Sequence, residues 1–369
     1  MKIGIDAKWY FSGPVSGRVI IHNVLKELIQ LYPGVEFHIF LKTKDKKNQF
    51  PLVGERIKIH YVRPRLNLLS NLFVLPKYAR RLKLDAVLFQ TFSPRGHSFC
   101  SVVFIHDVLF RDYPQYFSGI EKLYFWPLRW MIASADRIIT TTEYVRGELL
   151  KFNYAKKDQP IDLAPLGVAD IFRPKDFHQP ELLKNVKRKY NLPDRYLLFA
   201  GRFNERKNVA GLVRSLEFLN DKEICLVIAG EKDWKIPRLR NLLSNKQTSA
   251  RIIFTGAVND DELSAIYAMA KIFCFPSYAE GFGLPPLEAM ASGIPVIVSN
   301  TTSMPEVCGA AALYIDPYDP KDIAEKINLL LNNESLYNEK LKAGLEWSKK
   351  YKWHKTAEAI MKTIFAAVK

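Results

Sequence analysis

A chain of 369 residues that is 48% apolar has room for two domains and a sizeable core, which excludes global disorder. No run of eighteen apolar residues occurs, which excludes a transmembrane helix, and the start "MKIGIDAKWY" enters a strand with no signal peptide. The net charge of +16 is uneven, +11 over residues 1–178 and +5 over the remainder.

In chain order, "KIGIDA", "EFHIFLK", "IKIHYV", "DAVLFQ", "SVVFIHD" and "RIITTTE" read as strands of a first half. "RYLLFAG", "EICLVIAG", "RIIFTG", "KIFCFPS", "IPVIVSN" and "AALYID" read as strands of a second. Several are apolar throughout, as strands of a parallel sheet covered on both faces are. Helical stretches alternate with them, so the expected class is α/β with two doubly wound, Rossmann-like domains. Proline and charge in "FRPKDFHQPELLKN" place the boundary near residue 178. Ligands of open α/β sheets bind beyond the carboxyl ends of the strands, so a cleft between the domains is the expected site. "YKWHKTAEAIMKTIFAAVK" reads as an amphipathic terminal helix with Trp353, Ile360, Ile364 and Phe365 on its apolar side.

The densest basic stretch is residues 62–83, with Arg63, Arg65, Lys77, Arg80, Arg81 and Lys83, no acid and a Leu- and Phe-rich centre. It suits an anionic membrane face. A solvated basic helix side is the plain alternative, and nucleic acid is disfavoured because no nucleic-acid module accompanies it. The four cysteines, Cys100, Cys225, Cys274 and Cys308, lack metal-ligand spacing and read as reduced core residues of a cytosolic protein.

Two stretches carry chemistry. In "AGRFNERKN", Gly201 turns the chain after a strand, and Arg202, Arg206 and Lys207 cluster where a helix begins, an arrangement that binds anions such as a diphosphate. A solvated basic turn is the alternative. "FCFPSYAEGFGLPPLEAMASGIPV" reads strand, loop, helix, turn, strand. Pro285 or Pro286 suits the first helical turn, which puts Glu288 in that turn and Glu280 before the glycine loop. Each carboxylate accepts two hydroxyl hydrogen bonds, so the pair suits two polyols such as two sugar rings. For Glu288 alone, a role as a dipole-stabilising acid is the alternative.

The Glu280-x7-Glu288 pattern around "GFGLPPLEAMASGIPVI" resembles the signature of the retaining GT-B glycosyltransferases of family 4. "GRFNERK" is similar to that family's Gly-Arg-x4-Lys phosphate motif, "IHDVLFRDYPQYF" to its His-Asp segment, and "TTTEYVRGEL", "PLGVADIFRP" and "YKWHKTAEAI" to its later segments. The resemblance covers nearly the whole chain. It implies an acceptor-binding domain over 1–178, a nucleotide-sugar-binding domain over 179–350 across a deep cleft, and a terminal helix, 351–369, crossing back to the first. It implies that Glu280 and His106 face the reacting sugar and that Arg202 and Lys207 hold the diphosphate. Glu288 would hold the ribose, the backbone of Phe282, Gly283 and Leu284 the sugar hydroxyls, and Gly256 would lie near the base. The first loop, "FSGPVSGRVIIHNVL", departs from the family's glycine-rich pattern at Pro14 and Arg18, and Gly17 is retained as a close-approach position to the donor.

The expected reaction is retaining transfer of a hexose, with mannose from GDP-mannose as the single best donor, to a saccharide acceptor. The acceptor is expected to be lipid-linked, in surface polysaccharide or lipopolysaccharide assembly at the inner face of the cell membrane. No metal and no other cofactor is expected. The alternatives are a nucleotide-sugar epimerase or hydrolase of the same fold, and a non-catalytic basic protein binding membrane or nucleic acid.

Overall fold

The computed structural model describes residues 1–63, 66–94, 97–230 and 237–368; Arg65 of the basic stretch lies outside them. The chain divides into two compact units, 1–167 with 352–369, and 168–351. The first division falls before the proline- and charge-rich stretch at 178. The reason is local packing: the Ile171 carbonyl accepts from Ser264 Oγ, Phe172 meets Tyr267 edge to face, and buried His178 lies beside Ser264. Residues 168–178 therefore belong to the second unit.

The first unit is a seven-stranded parallel sheet of β1 (Lys2–Asp6), β2 (Glu36–Lys42), β3 (Ile57–Val62), β4 (Ala86–Gln90), β5 (Cys100–Ile105), β6 (Arg137–Thr140) and β7 (Ile161–Leu163), in the order β3-β2-β1-β4-β5-β6-β7. Every residue of β4 is buried, as its unbroken apolar run requires. The order reverses between β1 and β4, which opens a crevice at their carboxyl ends. The helix Trp353–Val368 returns to this unit. Thr356 Oγ1 donates to the Pro165 carbonyl at 2.6 Å, and the Cys100 thiol to that of Ala367 at 2.8 Å. Trp353, Ile360 and Ile364 are buried as expected, but Phe365 is not. One residue beyond Ile364 the helix has turned by roughly 100°, and Ala357 and Met361 complete the buried stripe instead.

The second unit is a six-stranded parallel sheet of β8 (Tyr196–Ala200), β9 (Cys225–Ala229), β10 (Ile252–Gly256), β11 (Ile272–Phe275), β12 (Val296–Ser299) and β13 (Leu313–Ile315), in the order β10-β9-β8-β11-β12-β13. Its order reverses between β8 and β11. The two chemistry-bearing stretches of the sequence are the loops that leave these two strands. All four cysteines are unpaired thiols, with Cys274 and Cys308 buried. Among the described residues no helix is long and apolar enough to cross a membrane.

Candidate active site

The loop after β8 is built by two asparagines. Asn204 Oδ1 accepts from the Lys207 amide at 3.1 Å and closes a short 3-10 turn, Glu205–Lys207. Asn208, in the left-handed region at φ 52°, caps the next helix by accepting from the Gly211 amide and donates to the Pro317 carbonyl at 2.6 Å. These bonds fix the backbone from which Arg206 and Lys207 project.

The loop after β11 is held by hydroxyls from the segment after β12. Thr301 Oγ1 donates to the Tyr278 carbonyl, Thr302 Oγ1 accepts from the Glu280 amide at 2.9 Å, and Ser303 Oγ donates to the carbonyls of Glu280 and Phe282. The two loops are tied together, because the Tyr278 amide donates to the Arg206 carbonyl at 2.8 Å and the Arg206 guanidinium donates to that of Ala279.

Glu280 is the centre of the constellation. It is 6% exposed, with Oε1 at 2.6 Å from Lys207 Nζ and Oε2 at 3.0 Å from Arg206 Nη1. Burial pushes its carboxyl pKa up, but the Arg206 and Lys207 cations outweigh burial and hold it down at about 2. Lys207 also sits over the Phe275 ring, 4.6 Å from its centroid. Two cations converging on one carboxylate at the carboxyl ends of adjacent strands suit an anion such as a diphosphate. Arg202, expected beside Lys207, is exposed and makes no ion pair with any described residue. Arg206 joins Lys207 at Glu280: the tight turn Glu205–Lys207 presents both side chains to the carboxylate together, while Arg202 stays exposed on the same loop.

The helix after the glycine loop is Leu284–Ala291, with Gly283 as its cap at φ 94° and the prolines inside the first turn. The left-handed φ demands glycine there; a Cβ would also lie 2.4 Å from Met304 Cε, the movable end of a flexible side chain. The helix starts at Leu284, ahead of both prolines, so Glu288 lies in the second turn and no acid occupies the first. The dipole-stabilising role read for Glu288 therefore falls away. Its carboxylate, half-buried, accepts from buried Tyr267 at 3.0 Å. Desolvation raises its pKa to about 7 against the opposing bond from Tyr267. Phe282 is buried with its ring against Tyr351, and Leu284 opens the helix. Gly256 ends β10 at φ 72°, and a Cβ there would meet none of the described residues within 4 Å.

Two expected site residues belong to the first unit. His106 directly follows β5, and its Nε2 lies 3.1 Å from Gln90 Oε1 while its buried Nδ1 has no partner among the described residues. Desolvation lowers its pKa to about 4, so the ring is neutral at pH 7. With the proton on Nε2 facing Gln90, Nδ1 is a spare acceptor. Gly17 lies within the helix Val15–Leu31, where a Cβ would meet Trp9 Cε3 at 2.7 Å; its close approach is to an indole of its own loop. Beside them lies a group that the sequence did not single out. Buried Lys8 Nζ sits 2.6 Å from both Asp6 Oδ1 and Asn71 Oδ1, at the carboxyl end of β1 where the strand order reverses. Burial lowers the Lys8 pKa, with Asp6 working against that shift. Among the described residues no group of three His, Cys, Asp or Glu side chains is arranged to hold a metal.

Residues 184–347 match the profile of the glycosyl transferases group 1, and residues 18–170 that of glycosyltransferase family 4. The O-antigen chain mannosyltransferase B of Escherichia coli is 32% identical over 259 residues, covering 69% of this chain and 67% of that protein. The serotype-specific mannosyltransferase WbdA of Escherichia coli is also 32% identical, over 60% of this chain; the aligned part spans only 28% of that longer protein. Among solved structures, a sucrose-phosphate synthase from Thermosynechococcus elongatus superposes over the whole of both chains with a TM-score of 0.78 at 19% identity. The two doubly wound sheets, the carboxylate–cation site at the second switch point and these matches lead to one conclusion: the chain belongs to the group 1 glycosyl transferases, the family 4 glycosyltransferases of GT-B type.

Proposed function

We propose that the chain transfers a hexose from a nucleotide diphosphate sugar to a saccharide acceptor with retention of configuration. The observation that carries this reading is the pairing of Arg206 and Lys207 with Glu280 at the carboxyl ends of β8 and β11. A diphosphate entering there competes for both cations, neutralises its own leaving-group charge on them, and frees the Glu280 carboxylate to face the sugar. Glu288, steadied by Tyr267, offers its remaining oxygen to ribose hydroxyls. The amides of Phe282, Gly283 and Leu284 lie ahead of two prolines that have no N–H, so the donors of this helix start are those that a sugar would meet. Neutralisation by two side-chain cations supports transfer without a metal.

The names of the Escherichia coli relatives support mannose as the sugar and O-antigen assembly as the setting; we take GDP-mannose as the donor. We take the acceptor to be lipid-linked and the protein to work at the anionic inner face of the membrane, a reading supported by the basic excess of the first half. The test is a donor screen of GDP-, UDP-, dTDP- and ADP-sugars, following nucleotide release with and without lipid-linked oligosaccharide. Acceptor-dependent release from GDP-mannose is the expected result. Equal release without acceptor would replace transfer by hydrolysis.

A further inference from the structure

Residues 119–132 form two short helices, Gly119–Phe125 and Leu128–Ile132, separated by Pro127. Their sequence "GIEKLYFWPLRW" places Ile120, Leu123, Trp126 and Trp130 at successive spacings of three, three and four, one face of a helical run. That face does not pack. Ile120 is 82% exposed, Leu123 72%, Trp126 68% and Trp130 47%, while Tyr124 and Phe125 on the other side pack against the core. Trp126 and Trp130 meet edge to face with ring centroids 4.8 Å apart.

A second segment behaves in the same way. In the helical run 67–82, Leu68 and Leu72 pack on the same core cluster, whereas Leu69 and Phe73, and Leu66 just ahead of the run, are exposed. The two segments adjoin: Asn71 Nδ2 donates to the Phe92 carbonyl at 2.8 Å, and the Phe92 ring meets Tyr124 edge to face at 5.2 Å. An apolar, indole-rich surface of this extent is unusual on a soluble domain. Its surroundings are cationic. Arg63, Lys77, Arg80, Arg81 and Lys83 are exposed beside the second segment with no acid between them, and Lys122 and Arg129 flank the first. The acid of the first segment, Glu121, is turned back onto the Ser118 amide and hydroxyl in a capping box.

We propose that the first unit docks on an anionic bilayer by seating Ile120, Leu123, Trp126 and Trp130 at the level of the headgroups, with the cations of 62–83 as an electrostatic flank. Indoles favour that depth because the ring is apolar and its N–H stays wet. Apolar insertion plus a basic patch supplies the two signals that stable peripheral attachment needs. The basic stretch adds Leu66, Leu69 and Phe73 as exposed apolar side chains, but the indoles belong to the first segment. The proposal deepens the membrane partner named above and rests on that reading for its biological setting.

The experiment uses the full chain and two vesicle compositions, phosphatidylglycerol with phosphatidylethanolamine, and pure phosphatidylcholine. Flotation and tryptophan emission report binding. The expected result is partition onto the anionic vesicles with a blue-shifted emission. Trp126→Ser/Leu123→Ser should lower it at least about tenfold, and Lys77→Glu/Arg80→Glu should lower it in a salt-dependent way. Nucleoside diphosphate affinity, measured on each variant, should stay unchanged, which separates loss of docking from loss of fold. Undiminished flotation of the Trp126→Ser/Leu123→Ser protein overturns the proposal. So does absence of wild-type flotation, or a wild-type dimer that the same substitutions dissociate while vesicle binding is unaffected. Vesicle binding by a protein that accepts no lipid-linked acceptor would uphold the surface and sink the acceptor reading.

Discussion

The Glu280 carboxylate lies 2.6 Å from the Lys207 ammonium, within a buried group that also holds Arg206. In the proposed reaction this pair must part, because the same cation serves the diphosphate. The two substitutions therefore have opposite signs. Lys207→Ala removes a phosphate cation and should weaken nucleoside diphosphate binding by roughly 10- to 100-fold, the scale of a charge-assisted hydrogen bond. Glu280→Gln releases both cations and should tighten binding several-fold, while transfer falls by about 100-fold or more. Titration calorimetry with GDP reads both. Equal weakening in the two variants would remove the competition on which the mechanism is built.

The same group sets an acid dependence of stability. Glu280 has a folded pKa of about 2, below its ordinary value of 4.5. A depressed carboxylate contributes stability that is present above the unfolded pKa and is lost as pH falls through the folded one. The window is pH 4.5 to about 2, and the contribution is of the order of 3 kcal/mol. Wild type should therefore exceed Glu280→Gln in stability at neutral pH, and the gap should close on acidification through that window. Denaturant unfolding at several pH values measures it; a gap that is constant with pH would show that the ion pairs contribute nothing.

Glu288 sets a pH dependence of binding in a higher window. Its pKa of about 7 leaves the carboxyl largely protonated below neutrality, whereas hydroxyl donors require the carboxylate. Binding of a ribose there releases a proton. Nucleotide affinity should rise with pH up to about 7 and then level off, and Glu288→Gln should flatten the profile. Calorimetry in buffers of different ionisation enthalpy would detect the proton, and its absence in wild type would take Glu288 off the ribose.

Much of this was legible in the residues. Short apolar runs such as "AVLF" and "YLLFA" announce central parallel strands, because they are too short for a buried helix and end at turn residues. β7 was not legible: "IDL" has three half-buried residues at a sheet edge and no pattern to count. At the site, the glycine loop and its glutamates stand out, but the direction of a side chain does not. Clustering cannot separate Arg202 from Arg206; only the turn Glu205–Lys207 decides which one reaches Glu280. The hydroxyls of Thr301, Thr302 and Ser303 were invisible for another reason, since they act on a loop more than twenty residues away. The Glu288 misplacement came from a helix start that Pro285 and Pro286 allow at more than one position.

Gly283→Ala combines two costs, a left-handed φ of 94° and a contact with Met304 Cε at 2.4 Å. It should destabilise by roughly 1–3 kcal/mol. Met304 is fully buried, so Met304→Ala in the same chain opens a cavity, leaves the backbone strain in place and should add to the loss. Thermal unfolding of the two variants measures this, and rescue by Met304→Ala would show that the contact, not the positive φ, dominates the cost.

The buried group of the first unit tests whether its charges are paired or merely adjacent. Lys8 is 1% exposed and Asp6 1%, with Lys8 Nζ shared between Asp6 and Asn71 and Asn71 Nδ2 donating to Asp6 Oδ2 at 3.1 Å. Removing one member leaves an uncompensated charge in a site that water does not reach, which costs about 3–5 kcal/mol. Asp6→Asn and Lys8→Met should each lose stability on that scale. The double variant leaves no buried charge, so its loss should fall well short of the sum, with a coupling of about 1–3 kcal/mol. Because Asn71 bridges both residues and also holds the Phe92 carbonyl, Asn71→Ala should destabilise as well, and should loosen the join between the segments 66–73 and 119–130. Denaturant unfolding of the singles and the double completes the cycle. Strict additivity would mean that Lys8 and Asp6 are each solvated in solution, and that the carboxyl end of β1 is open to water.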